Sequence, residues 1–207
     1  MSTQSLNPPR RVIDVSQLPH TVFGTGRSIL WWATILMTVI EGSFFAYLIA
    51  AYFYLRTRVN DWPPGIDPPY LLYGSINLGL MLLSTIPNQI LKKAAAAQQF
   101  GKVRALLVLM SLVAVAGIII RWFEFPALRC MWYDNAYASV AWVLLGMHTV
   151  HVLTDSFDTW VLTTLFFTGP FQPKRFMDAY ENTDYWYFVV LTWIPVYLVL
   201  YWAPRWL

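Results

Sequence analysis

Five apolar runs, separated by short polar or proline-bearing stretches, organise the chain of 207 residues. They fall at about 29–55, 71–91, 103–122, 136–166 and 185–203, each near or above the ~20 residues that a helix needs to cross the hydrocarbon layer of a bilayer. The alternation of apolar and polar positions, with a turn every ~10 residues, that marks a membrane β-barrel is absent from the sequence. The pattern therefore predicts an all-α, polytopic membrane bundle with five transmembrane helices over 28–207, preceded by a tail over 1–27. The first run, entering through Ser28, Trp31 and Trp32, is too long, too aromatic and too late in the chain for a signal peptide.

The connections carry breakers. Trp62-Pro63-Pro64-Gly65 and Asp67-Pro68-Pro69 close the first run, because proline lacks a backbone donor and cannot continue a helix. Lys92, Lys93, Lys102 and Arg104 flank the second connection, and Gly169-Pro170 with Gln172-Pro173-Lys174-Arg175 forms the fourth. Pro195 inside the fifth run is expected to kink its helix.

Composition agrees with the pattern. Hydrophobic residues make up 57% of the chain and charged residues 12%, against about 25% charged in a soluble domain. The single cysteine, Cys130, excludes a disulfide scaffold, and the charge of +3 without a basic stripe disfavours nucleic-acid binding. Basic residues set orientation through their asymmetry. On the N-terminal side lie Arg10, Arg11, Arg27, Lys92, Lys93, Lys102, Arg104, Lys174 and Arg175. Arg56, Arg58, Arg121, Arg129 and Arg205 lie on the other, a split of nine to five among the 14. The N-terminus is therefore expected in the cytoplasm and the C-terminus outside. Tryptophans such as Trp31, Trp32, Trp132, Trp186 and Trp202 fit an interfacial belt.

Ionisable residues within a span are costly and mark functional candidates. Glu41 lies mid-span and shares a helix face with Thr34, Thr38, Phe45 and Leu48. It should be neutral, or hydrogen-bonded to another helix, with the His148/His151 stripe and the second span as expected partners. Both a proton-relay and a purely structural role fit it. In the fourth span His148, His151, Asp155 and Asp158 fall at roughly 0°, 300°, 340° and 280° around the helix, a stripe that lipid cannot satisfy. Histidines at i and i+3 can share a metal, but bundle sites draw ligands from several helices, and the only other histidine, His20, lies in the tail. Interhelical hydrogen bonding or contact with lipid headgroups is the expectation, with no metal and no cofactor bound by the chain. Ser75, Asn77, Ser84 and Asn88, with Gly74 and Gly79, read as helix-packing material in the second span. Arg121 and Glu124 could pair at the outer interface. Arg27, Arg56, Arg58 and Trp62 are candidates for lipid contact near the interfaces. No catalytic motif is present.

From about residue 27 onward the chain resembles subunit III of the haem–copper oxygen reductases, cytochrome c oxidase above all. The resemblance rests on Glu41-Gly42-Ser43-Phe44-Phe45, Trp62-Pro63-Pro64-Gly65, Asn77 to Ser84-Thr85, Glu124-Phe125 and, most specifically, Gly146-Met147-His148-Thr149-Val150-His151-Val152. Tyr185-Trp186-Tyr187-Phe188 with Trp193 follows the last family motif, except that Tyr187 and Val190 replace its histidine and aspartate. The resemblance implies a non-catalytic subunit of the five-helix bacterial form, without haem or copper of its own; those sit in partner subunits. It implies direct packing on subunit I, with subunit II and possible small subunits or a respiratory supercomplex as further partners. It also implies structural phospholipid in a cleft, support of proton uptake during O₂ reduction, and residence in the bacterial cytoplasmic membrane. Subunit III of a quinol oxidase, or a protein accompanying a nitric oxide reductase, would carry the same features. From other classes, an independent proton or ion transporter and a haem-binding electron carrier are alternatives.

Overall fold

The computed structural model describes residues 29–169 and 173–206. Its long helices are α1 (Ile29–Arg56), α2 (Leu71–Ala96), α3 (Phe100–Ala127), α4 (Ala136–Thr168) and α5 (Pro173–Tyr197). A π-helical turn, Leu198–Trp202, carries α5 on into the short α6, Ala203–Trp206. The described residues contain no strand.

The bundle is held by α2 against α3 and α5, and by α4 against α3 and α5. Helix α1 lies at one side and packs on α4 and α5. Phe45 and Tyr52 are its buried anchors, while Leu36, Val39, Ile40, Phe44 and Tyr47 face outward. Four helical segments are long and apolar enough to cross a membrane: Trp31–Arg56, Phe100–Ala127, Ala136–Thr168 and Lys174–Trp206. Helix α2 is long enough, at about 39 Å for its 26 residues, but falls outside that set. Its apolar character is diluted by Gly74, Asn77, Ser84 and Asn88, all turned inward onto neighbouring helices, and by Lys92 and Lys93 at its end.

Local chemistry explains the boundaries. The Asn135 side chain accepts a hydrogen bond from the Ala138 amide at 2.8 Å and so caps α4. Between α1 and α2 the Trp62–Pro63 bond is cis, and Gly65 takes φ +66, a conformation open to glycine without a steric penalty. Trp62 folds back between the Tyr52 and Tyr137 rings, at centroid distances of 5.2 and 5.1 Å.

Two expectations require correction. The fifth helix begins at Pro173, twelve residues before the apolar run, because the charged stretch bearing Lys174, Arg175, Asp178 and Asp184 still buries Phe176, Ala179 and Thr183 on one face, with Glu181 and Asn182 buried as well. Pro173 thus opens a helix, where its missing N–H has no partner to lose, and does not break the connection. Trp186 is not an interfacial tryptophan: it is 3% exposed and donates its indole N–H to Ser84 Oγ at 2.8 Å. Arg121 and Glu124 pair as expected, buried against neighbouring helices at 2% and 0% exposure. Pro195 lies within α5, and the helix widens into the π turn three residues later.

Candidate functional site

Two polar clusters occupy the interior, and α4 contributes a histidine to each. The first is centred on Glu124. Its Oε2 accepts from Arg121 at 2.8 Å and from the Asn77 amide at 3.1 Å, and its Oε1 accepts from the Tyr201 hydroxyl at 2.6 Å. A second guanidinium nitrogen of Arg121 donates to His148 Nδ1 at 2.9 Å. His148 Nε2 lies 3.0 Å from the Val189 carbonyl. Arginine can only donate and a carbonyl can only accept, so His148 is a neutral imidazole with its proton on Nε2. The Arg121 guanidinium also stacks over Trp193 at 4.1 Å, which shields the charge on its remaining face. Side chains of α2, α3 and the π turn therefore close on one carboxylate, and Arg121 links it to His148 of α4 and to the Trp193 ring of α5.

That closure depends on small residues and on helix phase. Gly74 sits against the Tyr201 ring, and a Cβ there would lie 2.5 Å from it. Nearby, Ser75 and Tyr197 share a hydrogen bond of 2.7 Å.

The second cluster is centred on Glu41. Its Oε2 accepts from the Tyr185 hydroxyl at 2.8 Å and lies 3.5 Å from His151 Nε2, longer than an ordinary hydrogen bond. His151 Nδ1 is 2.7 Å from the Met147 carbonyl and must donate to it, so the edge facing Glu41 is Nε2. Phe45 packs on the His151 ring at 5.1 Å and separates the two clusters.

The predicted site residues are thus only partly brought together. Glu41 and His151 meet; His148 turns to Arg121, away from Glu41. Asp155 is 2% exposed, and neither of its oxygens has a hydrogen-bond partner among the described residues. It lines a pocket of about 450 Å³ between α1, α4 and α5, which also receives Thr34, Asp158 and Tyr185. Arg27 and His20 lie outside the described residues. Arg58 is exposed and donates to the Tyr54 hydroxyl at 2.6 Å, and Arg56 donates to the Val59 carbonyl at 3.0 Å. Trp62, at 7% exposure, is inside the Tyr52–Tyr137 cluster, so its ring presents little surface to lipid. Tyr187 donates to Gln89 at 2.7 Å, and Val190 is buried.

Sequence reasoning missed Tyr185 and Tyr201 as partners of the two carboxylates. The one available signal was their position: tyrosines inside an apolar helix need a partner for the hydroxyl. At the end where α2 closes and α5 opens, Lys92 pairs with Asp184. Among the described residues, no group of three or more His, Cys, Asp or Glu side chains could hold a metal ion.

No family profile matches the chain. Individual relatives do. The chain is 25% identical over 178 residues to cytochrome c oxidase subunit 3 of Synechocystis, covering 82% of this chain and 74% of that one. It is 27% identical over 179 residues to the "Probable cytochrome c oxidase subunit 3" of Mycobacterium leprae, covering 84% and 85%. The identity to cytochrome c oxidase subunit 3 of Aedes aegypti is 25% over 183 residues, covering 84% and 69%.

Proposed function

We propose that the chain, similar over most of its length to subunit III proteins of cytochrome c oxidase, is a non-catalytic membrane subunit of a respiratory terminal oxidase. In this reading five helices span the bacterial cytoplasmic membrane, α2 among them, with the tail over 1–27 in the cytoplasm and the C-terminus outside. The chain packs directly on subunit I, shares the complex with subunit II, and holds structural phospholipid. Haem and copper belong to the partner subunits, and this chain sustains proton uptake during O₂ reduction. The orientation is supported by Lys92, Lys93, Lys102, Arg104, Lys174 and Arg175, which gather where α2 ends and where α3 and α5 begin.

The observation that carries the non-catalytic role is how the buried polar groups are used. Arg121, Glu124, Asn77, His148 and Tyr201 spend their hydrogen bonds largely on one another, which ties α2, α3, α4 and the π turn together as a structural subunit requires. Removing the chain from the purified oxidase tests the reading. Turnover should fall and the enzyme should lose activity over repeated cycles. Unchanged activity and endurance would refute it. An independent proton transporter is the competing class, motivated by Glu41 in the membrane interior. Liposomes holding the chain alone should show no proton flux dependent on Glu41.

A further inference from the structure

The pocket between the start of α1, the end of α4 and the start of α5 has contents that the bundle does not explain. It is lined by four carboxylates, Asp155, Asp158, Asp178 and Glu181, and among the described residues no lysine or arginine lines it. Asp155 is almost wholly buried, and both its oxygens lack a partner among the described residues. The amide nitrogen of Asn182 is committed to Thr159 at 2.9 Å, which leaves Asn182 Oδ1, also on the wall, without a partner. A lipid chain could satisfy none of these atoms, whereas water can. The volume of about 450 Å³ would hold on the order of a dozen waters at ~30 Å³ each. The concentration of carboxylates around that water favours cations, of which the hydrated proton needs no dedicated coordination shell.

The pocket also touches the Glu41 cluster. Tyr185 is on its wall, within electrostatic reach of Asp155, and donates its hydroxyl proton to Glu41 Oε2 at 2.8 Å. One phenol thus stands between the pocket and the intramembrane carboxyl.

We infer that this pocket is a hydrated, proton-collecting site that exchanges protons with Glu41 by way of Asp155 and the Tyr185 hydroxyl. A hydrated proton in the pocket transfers to the Asp155 carboxylate and leaves neutral water behind. A bridging pocket water carries it from Asp155, whose oxygens make no direct hydrogen bond among the described residues, to Tyr185 Oη as Tyr185 releases its own proton to a Glu41 carboxylate. Tyr185 ends neutral, Asp155 ends ionised, and one proton has moved from the water to Glu41; the reverse sequence returns it. Lys174 and Arg175 lie beside Asp178, and His151 faces Glu41 from the far side, so the route has a cationic rim and an imidazole at its end. The inference deepens the oxidase-subunit reading but does not need a partner, so its test is run on the full chain alone in lipid nanodiscs.

The measurement is the infrared C=O stretch of the Glu41 carboxyl, assigned by its loss in Glu41→Gln and followed after mixing into D₂O. Wild type should show the deuterium shift promptly. Asp155→Asn should slow it threefold or more, and Asp155→Glu, which keeps a carboxyl, should recover the wild-type rate within that margin. Should Asp155→Asn fail to fold, Met37→Trp, at an exposed position on the pocket wall, should slow exchange by filling the pocket. No Glu41 carboxyl band in wild type, or less than threefold slowing in the variant that folds, overturns the inference. Either result leaves the oxidase-subunit reading untouched.

Discussion

Arg121 and Glu124 stand one turn apart on α3, are both sealed from the surroundings, and meet at 2.8 Å. A buried pair of this kind is weak support for stability as a pair, because desolvation offsets much of its attraction, but each partner depends strongly on the other. Glu124→Leu would leave the guanidinium unpaired and strip Asn77 and Tyr201 of their acceptor. The expected loss is about 3–5 kcal/mol. Unfolding by denaturant in mixed micelles should record it, and the double variant Arg121→Met with Glu124→Leu should recover a large part.

Two glycines of α2 should answer oppositely to the same change. Gly74→Ala places a methyl group against the Tyr201 ring and must push it off Glu124, at a cost of about 1–3 kcal/mol for overpacking. Gly79 has open space where its Cβ would lie, so Gly79→Ala should be neutral or stabilise by up to about 1 kcal/mol through helix propensity. Equal melting temperatures for the two variants would contradict this packing.

Trp186 and Ser84 offer a direct measure of one interhelical hydrogen bond, between α5 and α2. A double-mutant cycle with Trp186→Phe and Ser84→Ala should give a coupling on the order of 0.6 kcal/mol and no more than ~1.7 kcal/mol. A coupling of zero would mean that the indole N–H is satisfied elsewhere.

Cys130, in the connection between α3 and α4, should be a poor nucleophile. Burial pushes its thiol up to about 11, and Asp134 nearby adds to the shift. The thiolate is the reactive form, so labelling by a maleimide should be slow at pH 7 to 8 and should climb as the pH approaches 11. Rapid labelling at pH 7 would contradict the burial.

The limits of α1 to α4 were readable to within a few residues because proline, glycine and charge clusters end each run. The first twelve residues of α5 were not, because a helix that alternates Lys174, Asp178 and Glu181 with Phe176 and Ala179 carries too little mean hydropathy to stand out. Trp186 was misplaced for a related reason: composition puts tryptophan at an interface, and only the Ser84 hydroxyl across the gap brings it inside. In the site, helical periodicity brought His148, His151 and Asp155 onto one stripe, but it could not divide them. His148 turns to Arg121 and His151 to Glu41 because of what α1, α3 and α5 present, and a single helix carries no information about its neighbours. The same blindness hid Tyr185 and Tyr201.

The π turn at Leu198–Trp202 is, in effect, one residue inserted into a helix, and everything after it is rotated by about 100° relative to an uninterrupted α5. Tyr201 lies within that turn and reaches Glu124 from it. A relative whose fifth helix runs straight through would present a different residue to the buried carboxylate, and its sequence would line up with this one only after a one-residue gap is opened between 198 and 202. In comparisons at a quarter identity such a gap is easily misplaced, and the tyrosine that completes the interior would then be scored as a mismatch at the edge of the chain.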